Sequence, residues 1–185
     1  MEIVQTHIPG LVLIKPDVFT DLRGYFFESY NQEKYHASGI PEEFVQDNES
    51  MSSRGVIRGL HYQLEPFAQS KLVRVTLGTV YDVAVDLRKG SPTFGKWFGV
   101  ELSGENKMQM FIPCGFAHGL SVLSPSALFA YKCDHVYNRP MERSIRYDDP
   151  DLNIDWKIPV HERIISEKDL HAVWFAESEN NFSYP

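Results

Sequence analysis

Between residues 45 and 135 the chain is cut into short alternating segments, each ended by glycine or proline. Nothing else in the sequence narrows the fold as much. Val73-Arg74-Val75-Thr76-Leu77 runs through Gly78 into Val80-Tyr81-Asp82-Val83-Ala84-Val85-Asp86-Leu87. Strand side chains alternate between faces, so a period of two marks a strand, and the glycine between the segments predicts a hairpin. Trp97 to Leu102 follows, then a turn at Ser103-Gly104-Glu105-Asn106, then Met108 to Ile112 stopped by Pro113, and later Leu128 to Lys132. Short strands at this spacing predict an all-β chain folded as an antiparallel sandwich or barrel. Helices are expected only at the periphery. Asn31 to Ala37 is ended by Gly39-Ile40-Pro41, and Ser166-Glu167-Lys168-Asp169 loosely follows a capping box. The polar tail from Glu177 to Pro185 is expected to be poorly ordered.

Composition fixes what such a chain can do. Its 185 residues are 43% hydrophobic, enough for one domain with its own core. No apolar run approaches the roughly 20 residues that cross a bilayer. The N-terminus lacks a charged-then-apolar leader, so a soluble, cytoplasmic protein is expected. The net charge of −7 argues against a nucleic-acid binder, which needs a broad basic face. Yet Arg54, Arg58, Lys71, Arg74, Arg88 and Lys89 fall in one stretch, which suits a small anionic ligand. Among them, Arg74, Arg88 and Lys89 read as exposed charges on a solvated sheet face. Cys114 and Cys133 are too few for a disulfide framework and read as inert buried thiols.

Two stretches carry the chemistry. In Arg58-Gly59-Leu60-His61-Tyr62-Gln63, a metal-binding strand would need a second histidine two residues after the first, on the same face. Gln63 stands there, and it is a poor transition-metal ligand. Pro113-Cys114-Gly115-Phe116-Ala117-His118-Gly119 supplies a turn and a second histidine. Together they resemble the two blocks of a cupin jelly roll with the first histidine pair broken. His61 and His118 leave the set short of the three protein ligands of a catalytic metal site, so no metal and no cofactor is expected. A pocket histidine free of metal can serve as a base. Strict alternation puts Arg58 and His61 on opposite faces; both reach one pocket only if the strand bulges there, which Gly59 permits.

Seven segments in order match one known family. They are D-x-R-G-Y-F-x-E from Asp21 to Glu28, F-V-Q-D-N-x-S from Phe44 to Ser50 and G-V-I-R-G-L-H from Gly55 to His61. K-L-V-R-V from Lys71, D-V-A-V-D-L-R from Asp82 to Arg88, F-I-P-x-G-F-A-H-G from Phe111 to Gly119 and S-x-K-D from Ser166 to Asp169 complete the set. The chain thus resembles the dTDP-4-keto-6-deoxy-glucose 3,5-epimerases of the dTDP-rhamnose pathway, from Asp17 to Asp169. The resemblance implies a cupin-like jelly roll and metal-independent epimerisation at C3 and C5 of a dTDP-linked 4-keto-6-deoxy sugar. It makes His61 the catalytic base, Asp169 the carboxylate that pairs with it, Tyr131 the acid on the other face of the sugar, and Lys71 the cation near the C4 oxygen. His118 would line the same pocket. Arg23, Glu28, Gln46, Asn48 and Arg58 would hold diphosphate and sugar, and Tyr137, Glu142 and Lys168 would frame the base or close the site. Taken alone, Arg23 and Glu28 suit a surface ion pair, and Gln46 and Asn48 a turn.

The resemblance also implies a homodimer with exchanged N-terminal strands. The chain would then divide into an N-terminal arm (1–50), a barrel core (51–135) and a closing C-terminal segment (136–185). One departure stands out: after Glu142 the family commonly carries a glycine and then a tryptophan, where this chain has Ser144 and Tyr147. Both are expected near the nucleotide end. Rival readings are inversion at C3 or C5 alone, a metal-dependent cupin, and a sugar-nucleotide-binding module without catalysis.

Overall fold

The computed structural model describes residues 1–185. The strands, in chain order, are β1 (Glu2–Gln5), β2 (Val12–Lys15), β3 (Phe19–Asp21), β4 (Gly24–Phe26), β5 (Gln46–Ser53), β6 (Val56–Gln63) and β7 (Lys71–Leu77). They continue as β8 (Thr79–Asp86), β9 (Trp97–Ser103), β10 (Gln109–Ile112), β11 (Phe116–Val122), β12 (Ser126–Cys133), β13 (Glu142–Ser144) and β14 (Ile164–Ile165). Two short helices are peripheral: α1 (Gln32–Ala37), capped by the Asn31 side chain, and α2 (Glu167–Leu170), capped by Ser166. One sheet runs β1-β2-β10-β7-β12-β5 and the other β13-β6-β11-β8-β9, while β3 and β4 form a separate exposed hairpin. Every pairing is antiparallel except that of β14 with β6. This is the expected jelly roll, with β1 and β2 at one edge of the first sheet.

Between the sheets lies a core that includes Val73, Val75, Val80, Leu120, Val122 and Phe129. A second core, with Ile57, Leu60, Val83, Val85 and Trp156, covers the outer face of the β6-containing sheet. Strand β8 is therefore covered on both faces, and its alternating residues feed two cores. That corrects the predicted hairpin. Strands β7 and β8 are consecutive in sequence but central in opposite sheets. The chain crosses between them at Gly78, whose φ of +77° and a would-be Cβ only 2.0 Å from the Ser126 carbonyl admit no side chain.

Two further expectations fail for reasons of burial. Arg88 is not a solvated charge: it is 9% exposed, and its guanidinium donates to both oxygens of the buried Asp86 at 2.9 and 2.7 Å. Burial alone would raise Asp86, but the bonds from Arg88, Ser91 and Thr93 outweigh it and hold the carboxyl below its ordinary value. Arg74 is half-buried and Lys89 exposed. The tail is also ordered, because Phe182 is buried in the second core and Ser183 bridges to Lys89. Of the two thiols, Cys133 is buried as expected and Cys114 only half-buried; burial pushes Cys114 up to about 12 and Cys133 up to about 11, so both stay protonated.

Candidate active site

The site is the polar end of the space between the sheets, and a bulge assembles it. Across β6 and β11, His118 pairs with His61, but Leu120 pairs with Arg58, so β6 carries one extra residue. Gly59 sits in the bulge with φ of +115°, where a Cβ would lie 2.6 Å from the His118 carbonyl. The slip turns Arg58 and His61 to the same inward face, as the glycine led us to expect. Their cross-strand partners continue the row, with Glu142 opposite Gln63 and Ser144 opposite His61 on β13.

His61 is held by a carboxylate. Its Nε2 lies 2.6 Å from Asp169 Oδ1. Strand β14 runs parallel to β6 and delivers α2 to this point, where the Ser166 hydroxyl accepts from the Asp169 amide at 3.1 Å. Asp169 is 3% exposed. Burial opposes its ionisation, yet hydrogen bonds from His61 and from around Ser166 and Gly59 prevail and lower its pKa. With Nε2 committed, Nδ1 is the ring nitrogen left for substrate.

Lys71 and Tyr131 come from the facing sheet. Their strands are neighbours, with Tyr131 opposite Val73 and Cys133 opposite Lys71, and the Lys71 ammonium lies 6.0 Å from the Tyr131 ring centroid. Burial lowers the Lys71 pKa, opposed by its neighbours Cys133, Asp82 and Glu142. Burial raises Tyr131, helped by Cys133 and Glu142 and opposed by Arg58, so its phenol keeps its proton at neutral pH. A cavity of about 250 Å³ is lined by His61, Lys71 and Tyr131, with Gln46, Asn48, Tyr137 and Glu142 around them.

The remaining expected residues divide. Tyr137 donates to Glu142 Oε2 at 2.9 Å and Lys168 reaches Glu142 Oε1 at 2.6 Å, so one carboxylate ties both to the rim. Burial opposes the ionisation of Glu142, but those two bonds outweigh it. Arg58 and Lys168 line an adjoining cavity of about 430 Å³ that shares His61. Gln46 and Asn48 lie in β5, not in a turn, and Gln46 donates to Asn48 at 3.0 Å. His118 stands behind the cavity wall rather than on it: it is buried, with Nε2 2.9 and 3.1 Å from the two oxygens of Asp82. Burial favours the neutral form of each partner, raising Asp82 and lowering His118.

Arg23 and Glu28 are outside the cavity of their own chain and do not pair with each other. Arg23 binds Asp21 at 2.6 Å and Glu28 binds Lys34 at 2.8 Å. Ser144 is not at a remote end but directly opposite His61, while Tyr147 packs against the second core and accepts from Trp156 Nε1 through its carbonyl. Two residues lie outside the expected set. Asp82 is signalled by a charge inside an apolar strand; Gln69 carries no such mark, yet it lines the cavity, as does Gln63, which the strand period places on the face of His61. No group of three or more His, Cys, Asp or Glu side chains is placed to hold a metal ion, and no helix is long and apolar enough to cross a membrane.

Comparison with known proteins bears on this arrangement. A family model described as dTDP-4-dehydrorhamnose 3,5-epimerase matches residues 5–177. The chain is 54% identical over 181 residues to the dTDP-4-dehydrorhamnose 3,5-epimerase of Pseudomonas aeruginosa, covering 97% of this chain and 98% of that one. Against the enzyme of the same name from Shigella flexneri it is 52% identical over 180 residues, with coverage of 97% and 98%. Among solved structures, a dTDP-6-deoxy-D-glucose-3,5-epimerase from Legionella pneumophila, in complex with dTDP-4-keto-L-rhamnose, superposes with a TM-score of 0.92 at 50% identity, covering 96% of this chain and 94% of that one.

Proposed function

The chain belongs to the dTDP-4-dehydrorhamnose 3,5-epimerase family, and from that premise we propose how its pocket works and on what. It is an isomerase that inverts C3 and C5 of dTDP-4-keto-6-deoxy-glucose to give dTDP-4-keto-rhamnose. One observation carries the mechanism: a carboxylate-held histidine and a protonated tyrosine come from opposite sheets to one cavity that also holds a lysine.

The C4 ketone acidifies the hydrogens on C3 and C5. His61 takes one through Nδ1, and Asp169 steadies the imidazolium that results. The electron pair moves onto the C4 oxygen, where the Lys71 ammonium offsets the charge without any proton having to move. Tyr131 then delivers its phenolic proton to the carbon from the other face, which inverts the centre. Solvent reprotonates the phenolate and takes up the proton from His61, and the cycle repeats at the second carbon. Arg58 and Lys168 supply cationic donors for the diphosphate, where a guanidinium fork gives two parallel bonds. Tyr137 supplies a ring against which thymine can stack.

The exposed hairpin supports a dimer. Phe19 and Phe26 are 65% and 70% exposed and Leu22 is fully so, a surface that a monomer has no use for. β5 is an unpaired sheet edge and carries Gln46 and Asn48 on the cavity wall. A partner's N-terminal strands added there would cover the edge and bring the partner's Arg23 and Glu28 to the diphosphate and sugar end of the site. A nucleotide-linked substrate fits a cytoplasmic location. The test is product formation: the protein with dTDP-4-keto-6-deoxy-glucose alone should yield the rhamno-configured ketosugar, and His61→Ala should not. Full turnover by His61→Ala would overturn the assignment.

A further inference from the structure

The match to the family model ends at residue 177, and the chain beyond it is built into the molecule at the back of the pocket. The anchor is firm. Phe182 is 4% exposed, the Lys89 amide donates to the Phe182 carbonyl at 3.1 Å, and the Tyr184 amide donates to the Lys89 carbonyl at 2.9 Å. From this anchor the segment lies against the outer face of the sheet whose inner face carries His61, Gln63 and Glu142.

Its contacts fall beside wall residues. The Tyr62 hydroxyl donates to the Glu179 carbonyl at 2.6 Å, and Tyr62 lies between His61 and Gln63. Arg143 Nε donates to Glu179 Oε2 at 2.7 Å, and Arg143 follows Glu142. Asn181 makes a two-point bond to the backbone of Glu65: its Oδ1 accepts from the amide and its Nδ2 donates to the carbonyl, each at 3.1 Å. Glu65 opens the loop between β6 and β7. That loop carries Gln69, which donates to the His135 carbonyl at 2.7 Å, and beside it Gln63 accepts from the Asn138 amide at 2.6 Å. The neighbours of Tyr137 on either side, His135 and Asn138, are thus tied to residues beside those the terminal segment contacts, while the Tyr137 amide itself donates to Gln46 Oε1 at 2.9 Å.

We propose that residues 179–184 form a strap that positions the Tyr137 and Glu142 side of the pocket from behind. Asn181 and Glu179 act as positioning residues for substrate capture. The inference rests on reading the cavity as the sugar-nucleotide site. The strap reaches the wall that frames the nucleotide and leaves the His61–Asp169 pair to α2, so it should govern affinity and not proton transfer.

Asn181 is exposed, so Asn181→Ala removes the tie without opening the core. Two neutral hydrogen bonds are at stake, each worth about two- to tenfold in an equilibrium. KM for the dTDP-linked ketosugar and Kd for dTDP are each expected to rise about 3–10-fold, with kcat within about twofold. Asn181→Asp keeps the acceptor for the Glu65 amide and should restore part of the loss. Amide hydrogen exchange by mass spectrometry should quicken in residues 61–70 and 137–144 of Asn181→Ala, with β7 unchanged. Unaltered KM and Kd, or a fall in kcat alone, would overturn the proposal. So would unaltered exchange in those segments, whatever the turnover. Should the parent protein neither bind dTDP nor epimerise while exchange still responds, the strap stands and the assigned substrate fails.

Discussion

Replacing Asp169 with asparagine should slow turnover about 10–150-fold while leaving substrate affinity nearly unchanged. The variant keeps the side chain's size and removes only its charge. Asp169 Oδ1 lies 2.6 Å from His61 Nε2 at a site 3% exposed. A hydrogen bond to a charged group is worth about 1.5–3 kcal/mol. That bond is strongest when His61 carries the substrate's proton, so its loss falls on the transition state, at about tenfold per 1.4 kcal/mol. The lower bound is the sharper one, because an asparagine amide turned toward Nε2 would donate to it. It would then favour the tautomer with hydrogen on Nδ1 and deepen the loss. The nucleotide contacts proposed above involve other residues, so dTDP affinity measured by calorimetry should stay within about twofold. Stability supplies a second check. The folded pKa of Asp169 is lowered from 3.8, so its ionisation stabilises the fold above that value and ceases to as pH falls through the lower folded value. Parent and variant should therefore converge in stability toward acid. A turnover loss of less than threefold at unchanged stability would refute the dyad.

Three other perturbations follow from the same geometry. Tyr131→Phe should lower product formation about 10²–10⁴-fold while His61 still removes a proton, so solvent exchange at the substrate carbons should outpace inversion; equal losses of both would contradict the division of labour. Burial lowers Lys71 from 10.5 and raises Tyr131 from 10.0, so the alkaline limb of kcat/KM should reflect loss of the ammonium, below about pH 10.5. Lys71→Arg should shift that limb upward, and an unmoved limb would show that another group sets it. Arg88→Ala leaves Asp86 buried with its one charged partner gone and should cost about 3–5 kcal/mol, read as a lowered denaturation midpoint; a loss under 1 kcal/mol would mean that Ser91 and Thr93 suffice.

The architecture was legible because strand alternation and turn chemistry are local, and both are plain between residues 45 and 135. The sheet in which each strand sits was not. Gly78 reads equally as a hairpin turn or as a crossing between sheets, and only burial on both faces of β8 decides. The bulge could be anticipated because Arg58 and His61 had to share a face and Gly59 lay between them. Arg88 reads as a surface charge because it lies two residues past the end of β8, where Asp86 stands, and the burial of that turn is not written locally. The pairing of His61 with Asp169 spans 108 positions, and resemblance alone pointed to it. His118 carried the right motif, yet Asp82 draws it behind the wall. The polar composition of the tail predicts poor order, but Phe182 anchors it, and the two aromatics Phe182 and Tyr184 in a polar run are the available signal.

The central claim is that one pocket inverts two carbons flanking the C4 ketone. It is tested most directly by incubating the protein with dTDP-4-keto-6-deoxy-glucose in deuterated water and reading C3 and C5 by NMR. Deuterium at both positions, with both configurations inverted, is the predicted result. Deuterium at one position alone, or at neither, would contradict the account.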